Sequence, residues 1–153
     1  MGKSFLGNIP NTHIRDHQRK KLYSAEDACS FWQHLFVLSF DETKELIKSI
    51  SKWAKIKSPT IKADGHMIDE HQIAYATSDK IVLPFPLTKT LPYITHEMSH
   101  VINYNSSNAD HHGEYYATTY LKVVKEFIDF SAYSELKNAF DHWGVKYLTK
   151  VDN

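Results

Sequence analysis

Cysteine is almost absent. Cys29 is the only one in 153 residues, which excludes an internal disulfide and any zinc cluster built from several thiolates. Charge of one sign is missing too: Lys plus Arg number 18, as do Asp plus Glu, so no global field draws the chain to nucleic acid. The densest basic stretch, Arg15, Arg19, Lys20 and Lys21, is diluted by Asp16, Glu26 and Asp27 and reads as a solvated helix face. No run approaches the roughly twenty apolar residues that a membrane span needs. Met1 to Pro10 has neither an apolar core nor a small-residue cleavage site, so no secretory signal is expected. Leu6 stands where myristoylation after Met1-Gly2 would require Ser or Thr. Glycine and proline are scarce, five of each, and no linker or repeat breaks the chain. These absences predict a cytoplasmic protein with no nucleic-acid and no membrane partner. A flexible arm over 1–13, holding Gly2, Gly7 and Pro10, would precede a single domain over 14–150.

The apolar spacing within that domain is mostly helical. Leu22, Ala25, Cys29, Trp32 and Phe36 recur at three and four residues and predict one helix from about Ile14. Cys29 is then a small core side chain rather than a nucleophile. Asp41 is the expected N-cap of a second helix running to about Lys55, with Leu46, Ile50, Trp53 and Ala54 as its stripe. Ser58-Pro59 ends that pattern. Three strands are expected next, over Thr60–Ala63, Gln72–Ala76 and Lys80–Leu83. Beyond Pro84 and Pro86, helices are predicted over Leu91–Tyr104, Asp110–Phe130 and Ala132–His142, the last stopped by Gly144.

Histidine is the residue present in excess. There are ten, and His96, His100, His111 and His112 fall within one short stretch. His96-Glu97-Met98-Ser99-His100 puts two imidazoles four apart on one helical face, where both reach a single metal ion. Glu97, about a quarter turn away, reaches a water on that metal without ligating it. Zinc lowers the pKa of a bound water to about 7, and a glutamate so placed accepts its proton as the water attacks a carbonyl. Ile94, Met98 and Val101 lie on the opposite arc and are expected to face the core.

A catalytic zinc takes a third protein ligand and keeps one position open. The metzincin pattern would place Gly at 103 and His at 106. The chain has Asn103 and Ser106, which excludes that subclass. His112 is favoured, because Tyr116, Thr119, Tyr120, Val123 and Phe127 continue its face on the expected helix and Gly113 leaves room beside the metal. His111, Glu114 and Glu126 are the alternatives. His13, His17, His34, His66, His71 and His142 are scattered and read as surface or hydrogen-bonded side chains. Tyr104, Tyr115 and Tyr116 are candidates to donate to an oxyanion, although aromatic residues here usually pack.

Thr95-His96-Glu97-Met98-Ser99-His100-Val101, followed by His112-Gly113-Glu114-Tyr115-Tyr116, resembles the H-E-x-x-H … H-G-x-x-aromatic signature of SprT-like zinc peptidases. Arg15-Asp16-His17-Gln18-Arg19 with Tyr23-Ser24-Ala25-Glu26 is similar to the opening of a small family of metallohydrolases found in phages and actinobacteria. The resemblance implies an α+β, zincin-like fold in which a helical shell and a small sheet carry an HExxH helix. It also implies a Zn2+ site of His96, His100 and His112 with Glu97 as base. The cysteine zinc ribbon and DNA-binding extension of many SprT-like proteins are missing.

The expected activity is hydrolysis of a peptide bond in a protein or peptide substrate, with Gln72–Ala76 as the edge on which an extended substrate pairs. If the chain is phage-encoded, the compartment is the host cytoplasm. The alternatives are a regulatory protease or interaction module, ImmA-like or directed at a host factor, with one specific partner, or hydrolysis of a non-peptide amide.

Overall fold

Thr90 starts the helix around which the other elements pack. Its hydroxyl accepts the Tyr93 N–H, and Pro92 occupies the first turn, where its missing N–H costs nothing. The computed structural model describes residues 16–33, 36–64, 74–84, 87 and 89–149. Among these, five α-helices and a three-stranded sheet give an α+β fold. In chain order they are α1 (Arg19–Asp27), α2 (Phe40–Ala54), β1 (Thr60–Asp64), β2 (Tyr75–Ala76), β3 (Lys80–Pro84), α3 (Leu91–Tyr104), α4 (Glu114–Phe127) and α5 (Phe130–Trp143). Among the described residues the strands lie in the order β1-β3-β2, with β1 parallel and β2 antiparallel to β3. No described helix is long and apolar enough to cross a membrane. The arm expected over 1–13 lies outside the described residues.

Two apolar clusters make the core. One joins α1, α4 and α5 through Leu22, Ala25, Tyr120, Leu121, Leu136 and Phe140. The other joins α2, the sheet and α3 through Ile47, Ile50, Ile81, Leu83, Ile94 and Met98. Helix α3 runs between α4 on one side and α2 with the sheet on the other. Every residue from Ile94 to Val101 is therefore buried. The expected arc of Ile94, Met98 and Val101 does face the apolar core, but the histidine face is also enclosed. Placement against α4 and beneath α1 turns it into an interior polar site.

Several boundaries differ from the periodicity, each for a local reason. The first helix ends at Asp27 rather than reaching Phe36. The Glu135 carboxylate takes Ser30 N (2.7 Å), Ser30 Oγ (2.9 Å) and Phe31 N (3.4 Å), and the chain tightens into a 3-10 turn over Ser30–Gln33. Phe36 is left 71% exposed. Helix α2 is capped by Ser39, not Asp41. Ser39 Oγ accepts Glu42 N (3.0 Å) and Glu42 Oε1 accepts Ser39 N (2.8 Å), a capping box that satisfies two orphan donors. Trp53, placed on the α2 core stripe, is 39% exposed and lies edge-on to Phe127 instead. Helix α4 begins at Glu114, and Asp129 then breaks the run and caps α5 through Ala132 N (2.7 Å). Gly144, at φ 75°, ends α5 as expected.

Candidate metal centre

Helix α3 delivers His96 and His100 one turn apart, and the segment ahead of α4 brings His112 to them. The start of that segment is held by Asp110, whose backbone N–H donates to Asn103 Oδ1 (2.9 Å). Its carboxylate takes Tyr115 N (3.1 Å) and Tyr116 N (2.9 Å), two of the N–H groups that the first turn of a helix leaves unpaired. Gly113 has a local role here. A Cβ at 113 would sit 2.4 Å from Asp110 Oδ2, so the glycine makes room for this anchor. His112 therefore precedes the helix and does not share its face. What aims its ring is a side-chain partner on another element.

That partner is Asp16, just ahead of α1. His112 Nδ1 lies 2.9 Å from Asp16 Oδ2, and His96 Nδ1 lies 2.5 Å from Glu26 Oε2 near the end of α1. A carboxylate accepting from Nδ1 fixes the imidazole tautomer and leaves Nε2 free to bind a metal. Tyr120 also donates to Glu26 Oε2 (2.6 Å) and accepts from Trp32 Nε1 (2.8 Å), which locks the carboxylate in place. Helix α1 is itself tied to the end of the chain: Gln18 Nε2 donates to Lys146 O (3.1 Å) and Lys146 N donates to Gln18 Oε1 (2.9 Å). His100 is oriented by stacking instead. Its ring lies against Tyr116 (centroids 4.2 Å, 23°) and Tyr104 (5.5 Å, 17°).

His96, His100 and His112 are buried, and one ligand atom from each lies within 4.8 Å of the others. The Nε2 atoms of His100 and His112 are 3.2 Å apart. In a tetrahedral site with Zn–N bonds of about 2.0–2.1 Å, neighbouring nitrogens are about 3.3 Å apart, so this pair has the spacing of a ligand edge. Burial and the neighbouring imidazoles hold His100 well below its ordinary pKa, and burial also lowers His112. Both therefore present neutral nitrogens, the form a metal binds. Burial pushes His96 down as well, but Glu26 outweighs it through charge and hydrogen bonding, and the net shift is upward. The donor set fits a metal ion. These three histidines lie close enough to bind one.

No family model, curated protein or solved structure matches this chain.

Beside the imidazoles is a cavity of about 250 Å³, lined by Tyr23, Trp32, Ala74, Tyr93, Glu97 and the edges of Glu26 and His96. Glu97 is buried, and among the described residues no hydrogen-bond donor reaches its carboxylate. Burial pushes its pKa up to about 7, against the opposing pull of His96. It is a carboxylate at the wall of a cavity with its oxygens free to take a proton. The alternatives for third ligand fall elsewhere. His111 Nδ1 pairs with Tyr104 Oη at 3.2 Å, and Glu114 and Glu126 are exposed. His17 and His142 are exposed as expected, whereas His13, His34, His66 and His71 lie outside the described residues.

Asp16, Glu26 and Tyr23 were not expected in the site. The first two were read as charges on a solvated face, yet Glu26 is only 6% exposed and Asp16 is half-buried against His112. All three lie between residues 16 and 26, and local periodicity carried no signal for their place in the site.

Proposed function

We propose that the chain is a zinc-dependent metallopeptidase of zincin-like fold, with His96, His100 and His112 as metal ligands and Glu97 as general base. The observation that carries this reading is a cluster of two carboxylate-anchored imidazoles and a stacked third, one of which, His96, shares a cavity wall with the buried Glu97. Three clustered imidazoles suit zinc, and a structural site would have no use for Glu97. Bound there, zinc would polarise a carbonyl and acidify a water.

The protein's own groups then do the following. Asp16 and Glu26 hold the Nδ1 hydrogens of His112 and His96, so that the Nε2 lone pairs converge. Glu97 takes the proton of the attacking water and returns it to the departing amine, a role worth about a hundredfold to ten-thousandfold in rate. Burial of the α3 face excludes bulk water from the exchange. Ala74, just ahead of β2, lines the cavity together with Glu97, which supports a peptide substrate lying beside that strand.

The test is cleavage of a proteome-derived peptide library, read by mass spectrometry, with zinc-loaded wild type, chelated wild type and Glu97→Gln. Cuts that need both zinc and Glu97 are expected. Cuts that persist in Glu97→Gln would refute the assigned base. No cuts by the loaded wild type would favour a binding module over a peptidase.

A further inference from the structure

Five tyrosines crowd the site, and each hydroxyl has a different partner. Tyr116 donates to the backbone oxygen of His96 (2.9 Å), Tyr120 donates to Glu26 (2.6 Å), and Tyr104 pairs with His111 (3.2 Å). Tyr93 accepts the Ala74 N–H (3.1 Å). The fifth, Tyr23 on α1, has its hydroxyl 3.4 Å from Nε2 of His112, and its ring meets that imidazole edge-on at 5.2 Å. Because Asp16 holds the hydrogen on His112 Nδ1, Nε2 is a bare lone pair, and the Tyr23 hydroxyl and His100 Nε2 (3.2 Å) both face it. A metal ion would claim this same lone pair. The phenol hydrogen is then presented to the cavity that Tyr23 shares with Glu97.

We infer that Tyr23 is the hydrogen-bond donor to the oxyanion that develops on the substrate carbonyl, an assignment that rests on the metallopeptidase reading above. As the water oxygen adds to the carbonyl carbon, the π pair moves to the carbonyl oxygen and Glu97 takes the water's proton. Tyr23 shares its hydroxyl hydrogen with that oxygen without transferring it. When the carbonyl re-forms, the C–N bond breaks and the amine leaves with the proton from Glu97. A donor placed where charge develops acts without reorganising at the moment of reaction. Tyr23 is 41% exposed, so replacing it with Phe keeps the ring packing and removes only the hydroxyl.

The test uses the full chain loaded with Co(II), whose visible absorption reports on its ligands, titrated with acetohydroxamate and separately with imidazole. Acetohydroxamate brings an anionic oxygen to the metal, and imidazole does not. Tyr23→Phe is expected to bind Co(II) with an unchanged spectrum and to bind acetohydroxamate about tenfold to hundredfold more weakly, the range for a hydrogen bond to a charged group. Imidazole should bind both proteins alike. Unchanged acetohydroxamate affinity would overturn the assignment, as would an equal loss for imidazole, which would mean general damage to the site. A Co(II) spectrum altered by the substitution alone would make Tyr23 a ligand rather than a donor. Failure of the wild type to take up Co(II) would instead defeat the metal centre, and the role of Tyr23 with it.

Discussion

Replacing Glu26 tests whether α1 is part of the metal centre or merely lies against it. Its carboxylate is 6% exposed and accepts from His96 Nδ1 (2.5 Å) and Tyr120 Oη (2.6 Å). Glu26→Ala leaves both buried donors without an acceptor. Hydrogen bonds to a charged group contribute about 1.5–3 kcal/mol each, so the pair amounts to about 3–6 kcal/mol. Removing one partner of a buried ion pair costs about 3–5 kcal/mol by a separate comparison, and the two ranges agree. In a chain of this size the metal-free protein should melt about 6–20 °C lower.

The effect on metal binding is distinct. Without Glu26 the His96 ring loses the partner that sets its tautomer, for which typical losses are about tenfold to a hundredfold in affinity. Glu26→Gln keeps an acceptor oxygen but not the charge, so it should fall between wild type and Glu26→Ala on both scales. Competition for zinc with a chromophoric chelator measures the affinity, and circular dichroism of the metal-free proteins measures the melting. Wild-type zinc affinity in Glu26→Ala would refute the argument that this carboxylate orients a ligand.

Three further outcomes concern Cys29 and Gly113. Cys29 is fully buried, and burial, with Glu135 and Glu26 nearby, pushes its thiol pKa up from 9.0 to about 12. Iodoacetamide at about pH 9 should therefore label the unfolded chain and spare the folded one, and rapid labelling of native protein would contradict this packing. The unfolded thiol ionises near 9 and the folded one near 12, so this group's contribution to stability should be lost as the pH rises between those values. Gly113→Ala should drive the Asp110 carboxylate from Tyr115 N and Tyr116 N and destabilise the start of α4 by about 0.5–2 kcal/mol, the usual worth of a helix cap. An unchanged melting temperature in that variant would mean that Asp110 does not anchor the helix.

The sequence made some parts of this arrangement plain and others not, for reasons that differ by residue. Helix α3 was legible to its ends, Leu91 and Tyr104, because Pro84 and Pro86 precede it and a helical apolar arc runs through it. His96, Glu97 and His100 follow from spacing on that helix alone. His112 was identified on the wrong ground. Helical periodicity was extended back through it, whereas Gly113 and the Asp110 carboxylate start α4 after it. Asp16 and Glu26 contact histidines 96 and 70 residues away in sequence. No local pattern carries such a pairing, and their charges looked like ordinary surface. The early end of α1 was hidden for the same reason, since it depends on Glu135, 105 residues from Ser30.

Metal content tests the central claim most directly. Zinc-loaded protein, freed of unbound metal by gel filtration and measured by elemental analysis, should carry about one zinc per chain, the stoichiometry of a single three-histidine site. His112→Ala should lose most of it, while His111→Ala, whose ring pairs with Tyr104 outside the cluster, should keep it. Wild-type protein with no transition metal, or His112→Ala that retains a full equivalent, would contradict the account.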